Sequence, residues 1–351
     1  MLKHALIPMQ SVGPIPIFGP ELTDQVHVPL ATYETPLWAS VDRGARIAAY
    51  CNQGICAIIT DERMARSITL EAPNALIAQE TIHSILQHQA KLTEVVANTS
   101  RFAKLIHIHP EQIGNLIFLR LEFTTGDAAG HNMVTLASDH IQRWILNNYP
   151  AISYVAISGN MCTDKKVSAI NGILGRGKSV IAELIIPRKI CQRFLKVSPE
   201  AIVNVHIKKN LLGSIAAGSL RSANAHFANM LLAFYLATGQ DAANIVEGSQ
   251  GIVHCEVKND ALYFSITIPN IIVGTVGNGK NLDFANENLT AMGLTHSAEP
   301  GKNARKLAII AAATVLCGEL SLLGAIANPG ELMQSHLEIE RNIKQSQKSK
   351  E

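Results

Sequence analysis

The sequence predicts a mixed α/β protein in which a small domain is inserted into a larger one. At 351 residues the chain has about the length of two domains, and its 47% hydrophobic residues suffice for a full core. Helical and strand-like patterns alternate along the chain, which is typical of α/β folds. Residues 67–156 contain a helix, a strand pair, a small-residue turn and a second helix, and we expect this run to be the inserted domain. The larger domain would then comprise residues 1–66 and 157–351.

The elements before the insertion start with loops and short extended pieces. The first thirty residues are rich in Pro and Gly, as in VGPIPIFGPEL. Residues 33–50 repeat apolar side chains at helical spacing and predict a helix. The segment CAIIT at residues 56–60 predicts a short buried strand.

Within the insertion, residues 74–96 predict a single polar helix. Residues 102–109 and 115–123 alternate apolar and polar side chains and predict two paired strands. The small-residue segment TTGDAAGHN follows them, and residues 133–146 predict a second helix.

After the insertion, strands are predicted at residues 179–186 and 201–207. An Ala-rich helical region is predicted at residues 211–238, and a hairpin is expected around Asn259 and Asp260.

The most apolar stretch, LAIIAAATVLCGELSLLGAIA at residues 307–327, is long enough to cross a bilayer. It contains Glu319 and is interrupted by Gly318 and Gly324. We therefore expect a buried helix of a soluble protein. The charged tail from residue 338 predicts a solvated or mobile segment.

The net charge and the spacing of the cysteines argue against several classes of function. The net charge is only +2 and the basic residues are scattered, so we expect no nucleic-acid partner. The six cysteines lack zinc-binding spacing, and the first residues lack the pattern of a secretory leader. We expect free thiols in a reducing cytoplasmic environment, no metal ion and no membrane attachment.

Residues 172–179 match the P-loop formula GxxxxGK[ST]. A P-loop needs a strand before it and a helix after it, so that the helix start receives the phosphates. Here the preceding KKVSAIN is helical in pattern and the following VIAELIIP is β-branched. The segment predicts a tight turn, and an enzyme that uses a nucleoside triphosphate is the weaker alternative.

Two other glycine-containing loops are candidates for phosphate contact. Residues 126–130 follow a strand and open a helix, where free N–H groups and the helix dipole favour an anion. Residues 274–279 follow the hairpin. Either loop taken alone is also compatible with an ordinary turn.

In combination, four motifs resemble the catalytic portion of 3-hydroxy-3-methylglutaryl-CoA (HMG-CoA) reductases: SGNMCTDKK, NAHFANM, TGQDAANIVEGSQ and VGTVGNG. The likeness runs from about residue 13 to 342 and favours the class I form without its membrane anchor. It implies a large CoA-ester-binding and dimerisation domain with an inserted ferredoxin-like cofactor domain. It also implies reduction of HMG-CoA to mevalonate and CoA by two hydride transfers from NADPH, with NADH left open.

The resemblance assigns roles to individual residues. Catalytic roles fall on Glu34, Lys165, Asp241 and His336. The hydroxymethylglutaryl group is placed near Arg66, Ser158, Asp164, Lys166, Lys209 and Asn229. The CoA phosphates are placed near Ser40, Arg43, Arg46 and Lys196. The nicotinamide cofactor is placed along Asp127, Ala128, Gly130, Asn132, Gly274, Thr275, Val276, Gly277 and Gly279.

The chemistry explains why such residues are needed. Each hydride addition puts negative charge on the carbonyl oxygen, which the Lys165 ammonium would stabilise. Glu34 would deliver a proton, with its pKa raised by burial near a second acid, and Asp241 would supply that coupling and hold Lys165. His336, on a mobile tail, would protonate the leaving CoA thiolate. The family forms dimers or tetramers with shared active sites, so Glu34 and Lys165 are expected from a different subunit than Asp241.

The sequence departs from the family pattern at the cofactor loops. Ala129 and His131 replace two methionines, and Asn278 replaces a glycine. These departures leave open an alternative, in which the chain is a catalytically altered homologue that binds CoA esters.

Overall fold

The structure is a computed structural model that describes residues 5–295, 297–334 and 337. Nine strands connect into one β system among these residues. In chain order they are β1 (Met9–Phe18), β2 (Asp24–Ala31), β3 (Ile55–Glu71), β4 (Lys104–Ile113), β5 (Leu116–Thr124), β6 (Ser153–Ala156), β7 (Gly177–Pro187), β8 (Ile252–Lys258) and β9 (Ala261–Ile271).

Twelve α-helices accompany the strands in the described part of the chain. They are α1 (Pro36–Tyr50), α2 (Ala75–Gln87), α3 (Gln89–Ala97), α4 (His131–Asn148), α5 (Ala169–Leu174), α6 (Arg188–Leu195), α7 (Pro199–Val205), α8 (Ser214–Ala216), α9 (Phe227–Ala237), α10 (Ile245–Gly248), α11 (Asp283–Ala291) and α12 (Lys302–Ala327). A π-helical segment spans His206–Gly213, and a 3₁₀ turn spans Ala242–Asn244.

Strand β3 joins the two parts of the β system. It is 17 residues long, about three times an average strand, so each half can belong to a different sheet. Residues 56–63 pair with β7 in the larger sheet, whose order is β2-β1-β3-β7-β9-β8. Residues 64–71 pair with β5 in the smaller sheet.

The smaller sheet has the ferredoxin-like arrangement that the family resemblance implies. Its elements run β3, α2 with α3, β4, β5, α4 and β6, and its antiparallel strand order is β4-β5-β3-β6. Its core cluster, which includes Ile68, Leu119 and Ile141, is separate from the core of the large sheet. The exact domain limits stay a prediction, since β3 is shared by both sheets.

Helix α12 is the centre of the large core, as the sequence predicts. It is long and apolar enough to cross a membrane, but 89% of its most apolar window is buried inside the fold. Helix α1 packs directly on it. A Cβ on Gly44 would lie 2.2 Å from the carbonyl oxygen of Cys317, so only glycine permits this approach.

Several predicted elements are confirmed. The helix at residues 33–50 appears as α1, and the strand pair of the insertion appears as β4 and β5. The hairpin around Asn259 and Asp260 appears as β8 and β9. The GRGKS segment joins helix α5 to strand β7, the reverse of a P-loop, and Lys178 Nζ lies 3.2 Å from Glu62 Oε1.

The strand predicted at residues 201–207 is wrong. These residues form α7 and the start of the π-helical segment. Ser198 begins α7 by accepting a hydrogen bond from Ala201 N at 3.3 Å, and Pro199 occupies the first turn, where its missing N–H costs nothing. These starting signals outweigh the β-branched composition of the segment.

Three other predicted boundaries also change. The helical region expected at residues 211–238 is interrupted by an irregular segment at residues 217–226. The helix expected at residues 74–96 divides at His88 into α2 and α3. The first thirty residues, expected as loops and short extended pieces, contain the longer antiparallel pair β1 and β2.

Candidate active site

A cavity of about 720 Å³ lies between the two glycine-containing loops. Its lining includes residues 128–133 at the start of α4 and residues 276–280 of the second loop. The loops contact each other, since Thr275 N donates to Asp127 O at 2.8 Å. Gly274 permits this approach, because a Cβ there would lie 2.4 Å from a backbone nitrogen of the other loop. The two loops that the sequence singles out therefore form one binding cavity.

Lys165 and Asp241 meet at the wall of this cavity. Lys165 Nζ lies 2.7 Å from Asp241 Oδ2. Burial opposes ionisation of Asp241, but the Lys165 ammonium and the N–H of Ala243 outweigh it, so the pKa of Asp241 is lowered. The pair is a fixed ammonium held by an ionised carboxylate.

Lys165 and Asp241 of one chain are in contact, and the expected division of the pair between subunits stays a prediction. The two residues are held together within one chain, because a hydrogen bond joins the loop that carries Lys165 to the segment that follows Asp241. Lys165 N donates to Glu247 Oε1 at 3.1 Å, and Glu247 lies six residues after Asp241 on helix α10.

Behind the pair lies a buried ion-pair cluster that the sequence analysis did not predict. Arg176 Nη1 lies 2.9 Å from both Glu247 Oε1 and Asp164 Oδ1, and Arg176 and Glu247 are fully buried. Asn244 Nδ2 also donates to Glu247 Oε1, at 2.8 Å. A charged residue inside each of the motifs GRGKS and NIVEGS was the available signal. The cluster fixes the loop that presents Lys165.

Arg66 and His131 complete the polar wall. Arg66 donates to Ser158 Oγ at 3.3 Å and to Asp164 Oδ2 at 3.5 Å. His131 Nε2 lies 4.0 Å from Asp164 Oδ1. Burial lowers the pKa of His131 to about 4, so this imidazole is neutral near pH 7. The histidine that replaces a family methionine therefore adds a polar group without adding charge.

The cavity wall has free hydrogen-bonding capacity. Arg66 Nε, His131 Nε2 and Asn244 Oδ1 are buried and have no hydrogen-bond partner within the described residues. Buried polar atoms are normally paired, so such atoms at a cavity indicate a polar ligand. The loops and these atoms together form one polar cavity.

Glu34 lies in a second cavity, of about 460 Å³. Its Oε2 accepts a hydrogen bond from Asn229 Nδ2 at 3.0 Å, and Asn229 Nδ2 lies 3.4 Å from His226 Nδ1. His226 Nε2 lies 3.1 Å from Gly318 O, and burial lowers the pKa of His226 to about 4. His226 is a further functional candidate, and the motif NAHFANM was its signal. The burial expected for Glu34 is not provided by its own chain, where the side chain is exposed.

The predicted CoA-phosphate residues lie in this second cavity, except one. Ser40, Arg43 and Arg46 line it. Arg43 already donates to Ser321 and, at 2.6 Å, to Glu331, whereas Arg46 is exposed and pairs with Asp42 at 3.2 Å. Lys196 ends helix α6 in a left-handed conformation and is not among the described residues that line the cavity.

The remaining predicted residues have other positions. Asp127 caps α12, because its carboxylate accepts from Gly301 N and Ala304 N, each at 2.9 Å. The predicted residues that line neither cavity within the described ranges are Asp127, Ser158, Lys166, Lys196, Lys209, Gly274 and Thr275. His336 lies outside the described residues. All these assignments stay predictions.

Comparison with known proteins identifies the family. A model of the hydroxymethylglutaryl-coenzyme A reductase family matches residues 3–341. This chain belongs to that family. Among curated HMG-CoA reductases, it is 46% identical to the one from Aeropyrum pernix over 332 residues, which are 94% of this chain and 78% of the relative. It is also 46% identical to the one from Pyrococcus abyssi over 330 residues, 93% of this chain and 80% of the relative.

Solved HMG-CoA reductases share the fold. The class II reductase from Streptococcus pneumoniae, described as bound to NADPH in open conformations, matches with a TM-score of 0.74 and 19% identity. The match covers 94% of this chain and 78% of that one. At this identity the likeness shows the fold alone, and the class I character of the present chain stays a prediction.

Proposed function

We propose that this chain reduces HMG-CoA to mevalonate and CoA by two successive hydride transfers from NADPH, as an enzyme of the mevalonate pathway in the cytoplasm. The observation that carries the proposal is the Lys165–Asp241 pair at 2.7 Å, beside a cavity walled by two glycine-containing loops. Family membership and the names of the curated relatives support it. The choice of NADPH over NADH rests on the NADPH-bound fold neighbour.

Lys165 is the electrophilic group in this proposal. The bound cofactor supplies the hydride, and the carbonyl oxygen of the substrate gains negative charge as the hydride arrives. The Lys165 ammonium stabilises that charge, and Asp241 holds the ammonium in place at 2.7 Å. Glu247 and Arg176 prevent the loop from moving as the charge develops. His336 is proposed to protonate the leaving thiolate.

A complete active site is proposed to need two copies of the chain. In one chain, Glu34 lies in a different cavity from Lys165 and is exposed. Joining the Glu34 cavity of one copy to the Lys165 cavity of another would bury Glu34 near Asp241, which is the environment that a proton-donating carboxyl requires. We therefore propose a dimer, or a tetramer built from such dimers, with shared active sites.

The reaction is tested by absorbance at 340 nm with purified protein, HMG-CoA, and NADPH or NADH in parallel. Oxidation of two cofactors per CoA released is expected, and a Lys165→Ala variant should lose it. A folded protein that oxidises neither cofactor would contradict the proposal and favour the alternative of a CoA-ester-binding homologue.

Subunit sharing is tested by mixing two inactive variants, Glu34→Gln and Lys165→Ala. After dissociation and random reassociation, half of the dimers are mixed, and one of their two sites has both native residues. Activity should return to about a quarter of the wild-type value. If the activity of the mixture is no higher than that of either variant alone, each site is built from one chain.

A further inference from the structure

Lys280 is a buried lysine whose charge has no carboxylate partner within the described residues. The chain buries two lysines there, Lys178 and Lys280, exposed by 3% and 7%. Lys178 forms an ion pair with Glu62 at 3.2 Å. Lys280 Nζ makes one described hydrogen bond, to the carbonyl oxygen of Asn278 at 3.3 Å. An ammonium has three donors, so Lys280 retains the capacity to bind an acceptor.

Lys280 lines the cavity between the two glycine-containing loops. The acid that acts on it electrostatically is Asp241, whose carboxylate is already engaged by Lys165 at 2.7 Å. Burying an unpaired ammonium is unfavourable, and an anion in the cavity would remove that cost. The buried ammonium of Lys280 is therefore suited to bind a negatively charged ligand, and it does not stabilise the fold through an ion pair among the described residues.

The start of helix α4 offers a second anchor for negative charge at the same cavity. Helix α4 has 18 residues and starts at Gly130, which has a left-handed conformation and no side-chain cap. Residues 131–133 of its first turn line the same cavity, and the N–H groups of a first turn have no acceptor within the helix. The positive end of the helix dipole favours an anion at this point. Lys280 and the helix start thus border the cavity from two sides.

The net charge of the groups around the cavity is positive. Lys165 is paired with Asp241, and Asp164 is shared by Arg66 and Arg176. His131 is neutral near pH 7 because burial lowers its pKa to about 4. Glu247 also pairs with Arg176, so the net positive charge around the cavity is that of the Lys280 ammonium.

We propose that Lys280 binds the diphosphate bridge of the nicotinamide dinucleotide, opposite the start of α4. The inference rests on the proposed function, since it assumes that this cavity receives the cofactor. Two adjacent phosphates match the two anchors for negative charge that line this cavity, whereas the nicotinamide ring itself has no negative charge to offer Lys280. Burial lowers the pKa of Lys280 to about 8, an effect that Asp241 opposes, so the ammonium is present at neutral pH and bound phosphate would favour it further.

The test is direct binding of NADPH and of NADH, followed by the fluorescence of the bound nicotinamide. We compare wild type, Lys280→Met, Lys280→Arg and the matched control Lys258→Met, which removes an exposed lysine from β8. Lys280→Met should lower the affinity for NADPH and for NADH by the same factor, about 10- to 100-fold. The reason is that both nucleotides lose a charge-assisted hydrogen bond to a phosphate that they share. Lys280→Arg should retain most of the affinity, and Lys258→Met should bind like wild type.

The dependence on pH gives a second readout. Wild-type affinity should fall as the pH rises above about 8, because Lys280 loses its proton there. The fall should be absent in Lys280→Arg, whose guanidinium stays charged. Since this readout uses a charged replacement, it remains available if Lys280→Met does not fold.

The outcomes separate the inference from the proposed function. A wild-type protein that binds neither nucleotide would overturn both. If wild type binds and Lys280→Met binds equally well, the inference is overturned and the reductase proposal stands. Weakened NADPH with unchanged NADH would also overturn it, because the lysine would then contact the 2′-phosphate instead.

Discussion

Glu247 should be the most sensitive position behind the candidate active site, and Glu247→Ala tests this. The side chain is fully buried and accepts hydrogen bonds from Arg176, Asn244 and the backbone of Lys165. Alanine would remove the acceptor of all three hydrogen bonds at once and leave the buried guanidinium of Arg176 short of one partner. Breaking a buried ion pair by removing one member costs about 3–5 kcal/mol.

The geometry places the expected loss at the lower end of that range. Arg176 Nη1 keeps Asp164 Oδ1 at 2.9 Å, so its charge stays partly compensated. A loss of about 3 kcal/mol with an m-value near 3 kcal/mol per molar urea would move the unfolding midpoint down by about 1 M. The kcat should fall as well, because the loop that carries Lys165 loses its hydrogen bond to Glu247.

The assay is urea unfolding of wild type, Glu247→Ala and the control Glu200→Ala. Glu200 pairs with Arg188 on the surface, so water can solvate the arginine that remains, and the control should change far less. Equal shifts in the two variants, or a Glu247→Ala midpoint within error of wild type, would refute the reasoning that burial decides the cost.

Three further predictions follow from the same structure. Lys165→Ala should lower the kcat of HMG-CoA reduction about 10²- to 10³-fold with its fold intact by circular dichroism, and a retained kcat would exclude the lysine as the stabilising cation. Burial raises the pKa of Glu319 from 4.5 to about 7, so between these pH values the folded chain keeps a proton that the unfolded chain releases. Stability should therefore fall by about 3 kcal/mol as pH rises across that window. Glu319→Gln should lack this fall when unfolding midpoints are measured at pH 5 and pH 8, and an unchanged pH dependence would show that Glu319 is not its source. Magnesium-ATP should leave the thermal midpoint of the wild type unchanged, because GRGKS turns from a helix into a strand; a rise of several degrees would show that the loop binds a triphosphate.

The candidate site was partly predictable from the sequence. The motifs carry Glu34, Lys165 and Asp241, and the structure brings the last two together at 2.7 Å. Arg176 and Glu247 were not predictable as a pair, because they lie 71 positions apart and their importance comes from burial. Lys280 was missed for the same reason, since nothing in NGKNL distinguishes a buried lysine from an exposed one.

Errors in the predicted elements share one cause. The segments at residues 74–96 and 201–207 have compositions that suit more than one conformation, and local capping and tertiary packing decided between them. Long, strongly patterned segments such as α12 and the hairpin of β8 and β9 were predicted correctly, because their periodicity admits one interpretation.

By itself the sequence determined the mixed α/β class, the buried helix α12 and the family motifs. Those features depend on periodicity, turn residues and short motifs, which are local along the chain. Only the tertiary structure decided that Lys165 and Asp241 of one chain are in contact, that Glu34 lies in another cavity, and that Lys280 is buried without a carboxylate partner among the described residues. Such facts depend on which distant segments meet and exclude water, and the free energy of a charge is set by that environment rather than by its neighbours in sequence.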